Sequence, residues 1–222
     1  MRDAITRGRK FLVQTGELCL AAGVVAAGVY FFSGYFTTVR FDRERIEVQV
    51  ERGQIQVQGL YHFTNASWLP AVVTLRVPFP VDRDHLQPQV LTLCEAAEDG
   101  RELGEIRPLM RGGDVMLRLV FRPRQAKWLR VDYAQRTRVA NGCYLLTTTR
   151  TWRRPMQRAD YVLRLPRDFE LASSNYPVSL ALAPGPWKVY SFSKTNFYPG
   201  QEWEFAWDEP LARAAIRKGE RP

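Results

Sequence analysis

Residues 46–61 read IEVQVERGQIQVQGLY. Ile46, Val48 and Val50 alternate with Glu47 and Gln49; after a break at Arg52-Gly53, Ile55, Val57, Gly59, Tyr61 and Phe63 alternate with Gln54, Gln56, Gln58 and His62. Successive side chains of an extended chain point to opposite faces, so apolar residues of one parity mark a half-buried strand. An Arg-Gly step between two such runs marks a hairpin. The stretch therefore predicts two antiparallel strands that share one buried face.

The same period recurs downstream, with strands predicted over residues 71–77, 90–96, 115–121, 128–133, 143–149, 161–165, 178–182, 187–193 and 201–207. Pro78-Phe79-Pro80, Gly112-Gly113, Asn141-Gly142, Pro184-Gly185-Pro186 and Pro199-Gly200 punctuate them as turns. Helical periodicity is scarce, so the expected fold class is all-β, an antiparallel β-sandwich of immunoglobulin-like or related type over residues 40–210. About eleven strands exceed the usual seven to nine, which points to a second small sheet, with a boundary near residues 98–113 or 151–158. Residues 211–222 read as a short charged tail.

Ahead of this region, residues 18–36, LCLAAGVVAAGVYFFSGYF, carry no charge and follow the basic start MRDAITRGRK. About twenty apolar residues cross a hydrocarbon core of about 30 Å, so a single transmembrane helix is expected over residues 11–39, its uncharged core at 18–36. A cleaved signal peptide ending near Ala26 fits less well, because the apolar run continues ten residues further, into the interfacial aromatics Tyr30, Phe31, Phe32, Tyr35 and Phe36. Arg9 and Lys10 abut the run without an intervening acid, whereas Arg40, Arg43, Arg45 and Arg52 alternate with acids. The positive-inside rule then places tail 1–10 in the cytoplasm and the β domain outside it, periplasmic or at the cell surface. Ala22 with Ala26, and Gly23 with Ala27, are spaced for helix-mediated self-association.

Charge is uneven. The net charge is +9, yet residues 107–167 hold fifteen Lys or Arg against three acids, Asp114, Asp132 and Asp160. By strand parity Arg118, Arg122, Arg130, Arg150 and Arg164 are expected on one solvent-facing sheet face that takes an anionic partner: anionic lipid, an envelope polymer or an acidic protein. The expected export argues against nucleic acid.

Trp187, Tyr190, Phe192, Trp203, Phe205 and Trp207 crowd a C-terminal pair of strands. A buried layer of cross-strand partners is the first reading. A carbohydrate platform on Trp187, Tyr190, Trp203 and Trp207, with Lys188, Lys194 and Asn196 as polar neighbours, is the alternative.

Cys94 and Cys143 fall in predicted strands of an exported domain and form a candidate disulfide. Catalytic patterns are missing: the chain has no HExxH, GxSxG, phosphate-binding glycine loop or CxxC pair. Asp82, Asp84 and His85 make one corner of a metal site without a second cluster, so neither a metal nor a cofactor is expected. Asn65-Ala66-Ser67 matches a glycosylation acceptor. The expectation is a membrane-anchored, non-catalytic binding or assembly module of the cell envelope. A membrane-anchored carbohydrate-binding domain stands second and an enzyme of unfamiliar type third.

Overall fold

The computed structural model of the chain describes residues 38–111, 114–181 and 185–210. The uncharged run 18–36 and the tail 211–222 lie outside the described residues. Among the described residues no helix is long and apolar enough to cross a membrane.

The quoted stretch folds as read. Strands β1 (Val39–Glu51) and β2 (Gln54–Asn65) pair antiparallel, with Val48 opposite Val57 and Val50 opposite Ile55. Gly53 turns between them at φ 72°, a left-handed backbone that costs glycine little. β1 begins at Val39, which is 2% exposed and part of the core, so the β domain claims the last residue assigned by sequence to the membrane helix.

Then follow β3 (Ala71–Val77), β4 (Gln89–Ala96), β5 (Glu102–Glu105), β6 (Leu109–Arg111), β7 (Asp114–Phe121), β8 (Ala126–Arg136) and β9 (Asn141–Tyr144). After a short 3-10 helix (Thr147–Trp152) come β10 (Met156–Pro166), β11 (Glu170–Ser174), β12 (Ser179–Ala181), β13 (Trp187–Phe197) and β14 (Trp203–Asp208). Eight strands form one large sheet in the order β12-β13-β10-β1-β2-β8-β4-β5. Two three-stranded sheets, β11-β14-β9 and β3-β7-β6, share one continuous hydrophobic core with its inner face. The chain is thus nearly all β and sandwich-like.

The large sheet is mixed rather than antiparallel throughout, because β10 runs parallel to β1. The β2 hairpin occupies one edge of β1. The chain reaches the other edge only after passing through β9 and the 3-10 helix, so β10 starts at the end where β1 starts.

Other departures have local causes. Residues 143–149 do not continue as a strand: β9 stops at Tyr144, and the threonines that follow bond backward, Thr149 Oγ1 to Leu146 O at 2.7 Å and Thr151 Oγ1 to Thr148 O at 2.8 Å. The Glu202 carboxylate accepts the amides of Leu146 and Thr147 and the Thr147 hydroxyl, which fixes the helix start. Asn141-Gly142 is strand, not turn. A Cβ on Gly142 would lie 2.6 Å from Phe205 Cζ, so glycine is there for close packing. Within residues 98–113, Glu102–Glu105 and Leu109–Arg111 are the strands β5 and β6.

Asn65 closes one corner. It is fully buried; its Nδ2 donates to Leu69 O (2.8 Å) and Arg122 O (3.0 Å), and its Oδ1 accepts the Ser67 amide (3.0 Å). Such a side chain is no glycan acceptor. Asn65→Ala should cost about 2 kcal/mol, since buried carbonyls and an amide lose their partners, read as a lower urea midpoint without loss of fold.

Candidate functional site

The two small sheets leave part of the large sheet's inner face uncovered. A cleft of about 620 Å³ opens there, between edge strand β3 and the segment that leaves β9. Phe41, Glu44, Tyr61, Phe63, Leu129, Val131 and Tyr133 of the large sheet form its base. Residues 74–79, including the exposed Arg76, make one wall; Tyr144, Leu145 and the 3-10 helix with Thr148, Thr149, Thr151 and Trp152 make the other. The volume suits a small organic molecule.

Aromatic rings dominate the cleft. Phe41 stacks on Phe63 with centroids 5.0 Å apart, and Trp152 lies 5.5 Å from Phe63 and 6.2 Å from Phe41. The Tyr61 and Tyr144 hydroxyls share a hydrogen bond of 2.9 Å. Among these lining residues sits one carboxyl group. Glu44 is 3% exposed and accepts a hydrogen bond from the Tyr161 hydroxyl; among the described residues no cationic side chain pairs with it.

Burial pushes the Glu44 carboxyl up to about 7, opposed by the Tyr161 hydrogen bond. Burial likewise pushes the phenols of Tyr61, Tyr133, Tyr144 and Tyr161 above their ordinary range, so all four stay protonated. Near neutral pH the cleft therefore holds a single group poised between charged and neutral. No lone carboxyl makes a catalytic pair, but a carboxylate ringed by aromatic faces complements an organic cation.

Sequence reading missed this site. The signal was present in Glu44, which has the parity of Ile46, Val48 and Val50 and so belongs to the buried face of β1 once the strand is extended backward.

The five arginines do not share one face. Arg118 is exposed on β7 in a small sheet, and Arg122 is exposed just beyond it. Arg130 and Arg164 lie on the outer face of the large sheet, where Arg130 pairs with Asp132 at 2.6 Å and Arg164 with Glu47. Arg150 is exposed on the 3-10 helix, its guanidinium 5.5 Å from the centre of the Tyr198 ring. Parity orders residues within a strand, but not strands between sheets.

The aromatic set is a core layer, though not a hairpin. β13 belongs to the large sheet and β14 to a small one, and they meet across the sandwich with Phe192 and Trp203 5.1 Å apart at 83°. Tyr190, Trp203 and Trp207 are buried and offer no ring face to a sugar; Trp187 is half-buried at the start of β13. Cys94 and Cys143 are free thiols. Cys94 packs with Leu60 and Ala96 on the outer face of the large sheet. Cys143 sits on β9 with its neighbours Gly142 and Tyr144 turned inward, so the core separates the two sulfurs. Asp82 accepts the amides of Asp84 and His85 at 2.7 Å and contacts His85 Nδ1 at 3.0 Å, so Asp82, Asp84 and His85 form a closed turn.

No protein-family model matches the chain, and no characterised protein matches it in sequence. Solved structures do resemble it in fold. A candidate nutrient binding protein of Legionella pneumophila superposes with a TM-score of 0.62 at 10% identity, covering 81% of this chain and 70% of that one. An M1 zinc metallopeptidase of Deinococcus radiodurans reaches a TM-score of 0.47 at 14% identity, and this chain spans 42% of its length. At these identities the first likeness is one of fold and the second carries no weight.

Proposed function

We propose that the chain is a membrane-anchored binding module, tethered through residues 18–36 with its β domain outside the cytoplasm, and that its ligand is a small organic cation held in the cleft. The observation that carries this reading is the buried Glu44 carboxyl, unpaired by any described cation, in a wall of aromatic rings. A cation arriving there gains a carboxylate in a poorly solvated site and the negative faces of Phe41, Phe63, Tyr61 and Trp152. Among the described lining residues Glu44 is the one carboxyl, beside the hydroxyls of Tyr61, Tyr144, Thr148, Thr149 and Thr151, and the exported setting carries over the expectation of an envelope role.

Benzyltrimethylammonium and its neutral carbon isostere, neopentylbenzene, separate charge from shape. The cation should bind the full chain in detergent with saturation at pH 8, and Glu44→Gln should weaken it about 30-fold, equivalent to about 2 kcal/mol for a desolvated cation site. Leu75→Trp, which fills the wall, should abolish binding of both. Equal affinity for the two probes, or binding indifferent to Glu44→Gln, would refute the reading.

A further inference from the structure

Strand register gathers several connections at the end where β1 begins. Val39 stands opposite Asn65, Thr64 opposite Ala126, Ala71 opposite Phe121, and Met156 at the start of parallel β10 opposite Phe197. Of the chain segments there, residues 64–71, 121–126, 149–157 and 195–200 contain no Asp or Glu, whereas the turn from β4 to β5, which register places at the same end with Ala96 opposite Trp128, carries Glu98 and Asp99 and holds Glu98 3.9 Å from Arg43. The four acid-free segments do contain Arg122, Arg124, Arg150 and Arg154, all exposed. The opposite end is mixed in sign, with Asp82, Asp84 and the Arg52–Asp168 ion pair at 2.9 Å.

The four acid-free loops of this end also expose aromatics. Trp68 is 76% and Leu69 70% exposed, and Tyr198 is 47% exposed. The Arg124 guanidinium lies 4.2 Å from the centre of the Trp68 ring, as Arg150 stands over Tyr198. This loop is not free to fold its apolar tip inward: besides the bonds of Asn65, Ser67 Oγ accepts the Leu69 amide at 2.9 Å and Ser67 O accepts the Arg124 amide at 3.0 Å. A Trp-Leu tip held in water on a braced loop, flanked by arginines without acids, matches the depth profile of a bilayer surface, with amphipathic rings at headgroup level and guanidinium groups on phosphates. Sequence adds the tether: only Thr37 and Thr38 separate the uncharged run from β1, about 10 Å at full extension.

We propose that this end of the domain lies on the headgroup layer of an anionic phospholipid bilayer, with Trp68 and Leu69 inserted at the interface and Arg122, Arg124, Arg150 and Arg154 against lipid phosphates. The proposal rests on the reading of residues 18–36 as a membrane anchor.

The test uses the full chain reconstituted in vesicles of phosphatidylcholine and phosphatidylglycerol, the former brominated high on its acyl chains to quench nearby tryptophan. All six tryptophans lie at or beyond Trp68, so the emission reports on the β domain and not on the run. The chain should float with the vesicles and its emission should be quenched. Trp68→Phe should remove the quenched component, and the double variant Arg122→Ser, Arg124→Ser should reduce it. A chain that floats while wild type and Trp68→Phe quench alike overturns the docking surface and leaves the anchor standing. A chain that does not float overturns both.

Discussion

Glu44→Gln should stabilise the β domain by about 3 kcal/mol at pH 8 and by almost nothing at pH 4. In the folded chain burial holds this carboxyl protonated up to about pH 7, against an ordinary value of 4.5. Between those two values the folded state binds a proton that the unfolded state has released, so stability falls as pH rises through the window. Above about pH 7 the full cost of a buried, unpaired carboxylate is present; below about pH 4 both states are neutral and the cost vanishes. At about 1.4 kcal/mol per pKa unit the span corresponds to roughly 3 kcal/mol. Glutamine keeps an acceptor for the Tyr161 hydroxyl but never ionises. The groups around it, Tyr61 on β2, Tyr144 on β9 and Tyr161 on β10, stay protonated throughout and do not obscure the effect. Thermal melts at both pH values should differ for wild type and coincide more nearly for Glu44→Gln, with a shift of about 10 °C at pH 8.

Trp203→Ala should cost about 3–5 kcal/mol, the loss expected when a large core aromatic is removed and its neighbours cannot close the space. Trp203 is 1% exposed and packs 5.1 Å from Phe192, 5.1 Å from Phe205 and 5.6 Å from Tyr161, so it ties β14 of a small sheet to β10 and β13 of the large one. Trp187→Ala, at a half-buried position, should cost about 1 kcal/mol or less. Urea midpoints for the pair measure the contrast directly. Similar small losses for both would return the C-terminal tryptophans to the surface and revive a sugar-stacking role.

Much of the fold was legible because one apolar parity runs through most of each long strand, broken in β1 only by a bulge between Phe41 and Arg43: the β1–β2 hairpin, β3 and β7 stand where alternation put them. What alternation cannot encode is partnership. Tyr190 and Phe192 on β13, with Trp203 and Phe205 on β14, were correctly grouped by face yet placed on neighbouring strands of one sheet, whereas they meet across the core. Arg118 and Arg164 have equivalent parity in different sheets. The short β5, β6 and β11 lack enough apolar residues for a period to register. The cleft was hidden for a related reason. Its lining comes from β1, β2, β3, β8, β9 and the 3-10 helix, and only Glu44, a carboxyl on an apolar parity, marked any of it in the sequence.

The cleft as a cation site is tested most directly by the protons exchanged when benzyltrimethylammonium binds at pH 6, measured by calorimetry in two buffers of different ionisation enthalpy. Free Glu44 is mostly protonated at that pH, and a cation beside it restores an ordinary carboxylate, so about one proton should leave per ligand bound, and none in Glu44→Gln. Saturable binding with no proton released, or with the same release in Glu44→Gln, would contradict the assignment of Glu44 as the ligand's counter-charge.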